Sequence, residues 1–184
     1  MTPRSHRPPN RNDPFMFRTP ASDNIETTLT VVVEPVGFGD LGAVAAIQRE
    51  SFRPGLAYSR VALMLLWALP VATFLVARDP ATGDVVGNVI TDRVRDNTRI
   101  VNIAVARDAR RRGIARQMLW AIDQRCPEGD IVLAVEESNV AAQRLYEREG
   151  YIRTSVNRDY YGVNNHGYTM KKVRRNRPAS VTSP

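Results

Sequence analysis

Cysteine, histidine and lysine are all scarce in this chain. A single cysteine, Cys126, among 184 residues excludes an intramolecular disulfide and suits a reducing, cytoplasmic compartment. It precedes Pro127 at the end of an apolar-periodic stretch, so its expected role is packing. The two histidines, His6 in a Pro-rich segment and His166 in an Asn-rich turn, do not make a metal site. Two glycine patterns are also missing. Without G-x-x-x-x-G-K-[ST] the chain has no P-loop, and without G-x-G-x-x-G it has no dinucleotide-binding turn. The opening residues lack the basic-then-apolar build of a signal peptide. The uncharged run over 61–77, VALMLLWALPVATFLVA, falls short of the roughly 20 apolar residues that a membrane span needs, and Pro70 divides it. It reads as a buried helix followed by a strand.

What remains fits one small globular domain with a sizeable core: 43% hydrophobic and 24% charged residues. The net charge of +7 suggests nucleic acid until it is located. Much of it lies in residues 171–184, where Lys171, Lys172, Arg174, Arg175 and Arg177 face no acid. Such a tail usually serves solubility, with RNA or ribosome docking the lesser alternative. Residues 1–28, rich in Pro, Arg and Asn without an apolar period, read as a disordered tail.

Between the tails the pattern alternates strands and helices. Residues 29–35 read as a β-branched strand, followed by a helix with Leu41, Val44, Ala45 and Gln48 at helical spacing. Residues 74–78 and 85–91 form a hairpin about a turn containing Pro80 and Gly83, and 92–98 reads as a connection. The organising stretch is 100–124, IVNIAVARDARRRGIARQMLWAIDQ. A short apolar strand passes through a basic turn into an amphipathic helix carrying Ile114, Met118, Leu119 and Ile122 on one face. A helix start offers N–H groups without intrahelical partners and partial positive charge, which suits an anion. Gly113 removes the Cβ that would keep a phosphate from the backbone, Ala115 adds little, and the arginines add charge. A diphosphate is the expected ligand. Residues 131–151 then give a strand, a polar break, and a helix with Asn139 at its N-cap and Gly150 just past its end. Residues 151–159 and 168–173 read as two more strands.

The turn R-x-x-G-x-A after a strand resembles motif A of the Gcn5-related N-acetyltransferases, the GNAT superfamily. The stretch N-x-x-A-x-x-L-Y-E-x-x-G-Y after the next strand resembles its motif B. Within that superfamily, LAVEESNVAAQRLY followed by NRDYY is most similar to the RimI type, which acetylates protein N-terminal amines. The resemblance implies a GNAT domain over residues 29–173 between a disordered 1–28 and a basic, disordered 174–184. The implied fold is α/β, a mixed central sheet splayed between strands 4 and 5 with flanking helices. It also implies acetyl-CoA as cosubstrate and no membrane partner. Monomer and dimer both stay open.

Acetyl transfer from a thioester to an amine needs a neutral amine, a donor for the oxyanion and a proton for the departing thiolate. By resemblance, the backbone of Ile103, Ala104 and Val105 holds the pantetheine arm. Arg110, Arg111, Arg112, Gly113, Ile114, Ala115 and Arg116 hold the phosphates, and Asn139 and Tyr146 the inner end. Tyr146 is the implied acid; its other reading is a packing aromatic beside Ala142 and Leu145. RimI-type enzymes carry a glutamate twelve residues before that tyrosine, and here the position is Ala134. Glu136 shares Ala134's face of the strand and is the substitute base through a water, or else is simply solvated. Tyr160 and Tyr161 match a tyrosine pair of the acceptor groove, and their adjacency predicts that one faces it and the other faces away. The expected acceptor is a protein N-terminal α-amine, with a small-molecule amine as alternative. The rival from another class is a catalytically weak acyl-CoA-binding module.

Overall fold

The computed structural model describes residues 28–53, 55–68, 72–126 and 129–174. The elements run β1 (Val32–Pro35), α1 (Leu41–Ser51), α2 (Arg60–Ala68), β2 (Thr73–Arg78), β3 (Val85–Val94), β4 (Asn97–Val105), α3 (Ile114–Arg125), β5 (Ile131–Glu136), α4 (Val140–Arg148), β6 (Ile152–Asn157) and β7 (Gly167–Lys172). They build one mixed sheet of order β1-β2-β3-β4-β5-β7-β6, in which β4 and β5 are the parallel pair. The expectations for residues 1–27 and 175–184 lie outside the described residues. No helix among the described residues is long and apolar enough to cross a membrane.

The sheet is covered on both faces, which is why β2 is apolar along its length rather than alternating. Leu75 and Ala77 lie on the α3 side, in one core cluster with Ile114, Met118, Leu119 and Ile122 of α3 that continues as far as Tyr146 of α4. Phe74 and Val76 point the other way, onto Leu41, Val44 and Ala45 of α1 and Leu63 of α2. The buried faces of α1 and α3 are those expected from their spacing.

Three expectations shift. The first strand was expected from Leu29, but its ladder with β2 begins at Val32. The residues before it are tied to α3 instead: Leu29 N–H donates to the Arg112 carbonyl (3.0 Å), while the Gln117 amide donates to the Leu29 carbonyl (2.6 Å) and accepts from Val31 N–H (3.0 Å). The connection expected over 92–98 is mostly strand, because Asp92↔Arg99, Arg93↔Thr98 and Val94↔Asn97 continue the β3–β4 ladder to a tight turn at Arg95 and Asp96. Arg174, at the start of the expected C-terminal tail, is fastened: its N–H donates to Asp130 (3.1 Å) and its guanidinium holds Asp123.

Candidate active site

The sheet opens where its two central strands stop pairing. Thr98, Arg99 and Ile100 pair with Ile131, Val132 and Leu133; beyond that, β4 runs on to Val105 and β5 to Glu136 with their facing edges apart. A backbone edge left this way needs partners for its N–H and C=O groups, so an extended ligand can add itself as a strand. Within β4 the register with β3 slips: Ile90 pairs with Asn102 and Thr91 with Ile100, leaving Val101 as an extra residue. Such a bulge re-aims side chains. Asn102 turns toward α1, where Gln48 donates to it (2.6 Å) and accepts from it (3.0 Å). Asn88 completes the cluster by accepting from Gln48 and donating to Asn102, each at 3.1 Å.

The opening is a cleft of about 520 Å³ lined from both faces of the sheet. The floor is Ile100 to Ile103 of β4 and Leu133 to Glu136 of β5. Asn139, Ala142 and Tyr146 of α4 close one side; Arg53, Leu56 and Tyr58 from the α1–α2 loop, with Tyr160 and Tyr161 from the β6–β7 connection, close the other. The structure thus brings Glu136, Asn139, Tyr146, Tyr160 and Tyr161 together around Ala134.

Each has a local reason for its place. Asn139 caps α4, its side-chain oxygen accepting from Ala142 N–H at 3.1 Å. About two turns on, Tyr146 is buried (6% exposed), its ring 5.7 Å from that of Tyr151. Burial above all, with Tyr161 second, raises its phenol well beyond the ordinary value, so the hydroxyl keeps its proton across the physiological range. Tyr161 is pushed up to about 12 by burial and then by Tyr160. Tyr160 and Tyr161 do not alternate. Both line the cleft, their rings edge to face at 4.9 Å, because residues 158–166 turn instead of continuing β6. The expectation that one faces away fails with the strand it assumed.

The basic turn lies at the far end of the open β4 edge. Gly113 is the N-cap of α3 in the left-handed conformation (φ 76°), and no side chain caps the helix. An added Cβ at Gly113 would stand 3.2 Å from Thr28 Cγ2 in a backbone region that L-residues avoid. The uncapped N–H groups of Ile114, Ala115 and Arg116 and the glycine cradle together fit a diphosphate. Arg110 and Arg116 of this stretch are held by other parts of the fold. Arg110 donates to the Val105 carbonyl and to Ser51 Oγ, both at 3.1 Å, and Arg116 pairs with Glu149 at 3.2 Å. Arg110 therefore braces the end of β4 against α1, and the Val105 carbonyl already has a donor.

Sequence reasoning missed Arg53, Tyr58, Arg99 and the amide cluster. Arg53 forms an ion pair with Glu136 across the cleft, and Arg99 holds Asp92 through two nitrogens. The signal for the cluster was present: Gln48 sits on an apolar helix face, and Asn88 and Asn102 interrupt apolar strands. Among the described residues no group of three or more His, Cys, Asp or Glu side chains converges on a metal position.

Comparison with known proteins agrees with this architecture. The model of the Acetyltransferase (GNAT) family matches residues 41–151. An uncharacterised N-acetyltransferase of Methanocaldococcus jannaschii is 30% identical over 137 residues, covering 71% of this chain and 84% of the relative. The [ribosomal protein bS18]-alanine N-acetyltransferase of Salmonella typhimurium is 40% identical over 75 residues, 39% of this chain and about half (51%) of that enzyme. The crystal structure of the ribosomal-protein-S18-alanine N-acetyltransferase of Escherichia coli superposes with a TM-score of 0.69 at 21% identity, covering 81% of this chain and 98% of that one.

Proposed function

We propose that this chain, which belongs to the GNAT acetyltransferase family, acetylates the N-terminal α-amine of a protein. The family uses acetyl-CoA as cosubstrate, and acetyl-CoA brings the activated thioester. This chain's residues bind, orient and handle protons. The open edge of β4 at Ile103 and Ala104 receives the pantetheine arm, and the α3 start at Gly113 to Arg116 receives the diphosphate. A backbone N–H of β4 faces the carbonyl oxygen as negative charge develops on it. The protonated Tyr146 hydroxyl donates to the departing sulfur. Glu136 takes the amine proton through a water. Tyr58, Tyr160 and Tyr161 line the acceptor's approach.

The observation that carries the reading is the splay itself: one cleft joins the open β4 edge and Tyr146 on one side to a tyrosine-lined entrance on the other. Two relatives support the choice of acceptor by what their names say they act on, the bS18-alanine N-acetyltransferases of Salmonella typhimurium and Escherichia coli. The reading includes a cytoplasmic location, where the free thiol of Cys126 stays reduced. The test is release of free CoA from acetyl-CoA with peptides of varied N-terminal residue and, separately, with small amines. Turnover with peptides whose N-terminus is free, and none when it is blocked, is expected. Turnover with small amines alone would move the acceptor to that class. Cofactor binding without turnover on any acceptor would favour a binding module.

A further inference from the structure

The charged residues that line the cleft are Arg53, Arg99 and Glu136. Arg99 is committed to Asp92, so the balance inside the cleft rests on the pair Arg53–Glu136. Glu136 is well covered, with its side chain 19% exposed, whereas Arg53 reaches it from the α1–α2 loop with half of its side chain (51%) in solvent. A flexible, half-solvated cation therefore occupies the carboxylate that an acceptor ammonium needs. One carboxylate can touch two cations but neutralises only one of their two charges. When the amine takes Glu136, the Arg53 guanidinium is left at the mouth of the cleft, and an anion supplied by the acceptor restores the balance.

We propose that Arg53 is a specificity residue that yields Glu136 to the acceptor amine and then binds a carboxylate the acceptor carries close to that amine. This rests on the reading of the chain as an N-terminal acetyltransferase and names the class of N-terminus it prefers: one with Asp or Glu directly behind the first residue. The reach is suitable, since neighbouring Cα atoms lie about 3.8 Å apart and Arg53 lines the same cleft as Glu136, so a side chain directly behind the first residue starts one residue from the reacting amine. Bidentate geometry makes arginine apt for the exchange.

The experiment compares three peptides that differ only at the second residue (Glu, Gln or Lys) with wild type, Arg53→Ala, Arg53→Lys and Arg53→Glu. A half-exposed ion pair predicts a preference for Glu over Gln of about two- to fivefold in kcat/KM, carried by KM. Arg53→Ala levels the three peptides, Arg53→Lys keeps part of the preference, and Arg53→Glu turns it toward Lys. Acetyl-CoA affinity of each variant, measured by calorimetry, reports that the fold is intact. A wild-type enzyme indifferent to the second residue, or a preference that survives in Arg53→Ala, overturns the role of Arg53 while leaving N-terminal acetylation standing. Acetylation of small amines and of no peptide would overturn both.

Discussion

Replacing Tyr146 by Phe tests the chemistry with the least disturbance to the fold. The ring is buried and packs against Tyr151 at 5.7 Å, with 58° between their planes, so truncation to Ala would empty part of the core and cost about 3–5 kcal/mol. Phe keeps the ring and removes only a hydroxyl at the lining of the cleft, a change worth less than about 1 kcal/mol. For a chain of this size the melting temperature should move by no more than about 2–4 °C. The kinetic effect should be far larger. Burial keeps the hydroxyl protonated, which is what donation to the departing sulfur requires. Loss of a general acid lowers rates by about 10²–10⁴-fold. The expected result, read as CoA release under saturating acetyl-CoA and acceptor, is a fall in kcat of at least about 100-fold with acetyl-CoA affinity within about threefold. A kcat within threefold of wild type would refute the acid role and return Tyr146 to a packing aromatic. A matching loss of acetyl-CoA affinity would make it a binding residue.

Three further outcomes follow from the same geometry. The phenols of Tyr146, Tyr151 and Tyr161 are all raised, chiefly by burial, so the folded chain keeps protons that the unfolded chain loses near pH 10. Stability should be complete below about pH 10 and fall above it by up to about 4 kcal/mol per pH unit, and Tyr146→Phe should lower that slope by about a third in urea unfolding; parallel curves for the two proteins would contradict it. Gln48→Met keeps the shape of a fully buried side chain but strips Asn88 and Asn102 of their shared partner, and chemical denaturation should show a loss of about 2–3 kcal/mol. Gly113→Val places a β-branched residue at φ 76° against Thr28, so acetyl-CoA affinity should fall at least about tenfold, and unchanged binding would remove this turn from the cofactor site.

How much of this was legible beforehand depended on whether the signal was local. The Gly113 turn and the Asn139 cap are local: a helix must start where a left-handed glycine or a side-chain acceptor permits, and both stand where the sequence placed them. The splay was available only through resemblance, since nothing in the residues 101–105 or 134–136 says that two apolar strands stop pairing. Long-range partners were invisible. Gln117 holds a segment 86 residues away and so shortens β1, and Arg53 meets Glu136 across the fold. The tyrosine pair shows the limit of periodicity arguments: alternation holds within a strand, and once residues 158–166 turn, neighbours in sequence can share a face.

The missing glutamate points in the same direction as the acceptor. Where RimI-type enzymes carry a carboxylate the chain has Ala134, and the nearby Glu136 is engaged by Arg53. Such a site offers weak help in removing a proton, and how much help is required depends on the amine. An α-amine with a pKa near 8 is about one-tenth neutral at pH 7, whereas a lysine amine near 10.4 is only about 0.04% neutral. The difference exceeds two orders of magnitude, comparable to what a general base contributes. On the proposed function, a cleft with Ala134 at this position is expected to acetylate an N-terminus at a useful rate and lysine side chains far more slowly. In that reading Ala134 narrows the acceptor and need not abolish the enzyme. That narrowing, together with a cation at the entrance, is why the N-terminal reading outranks both the lysine acceptor and the silent binding module.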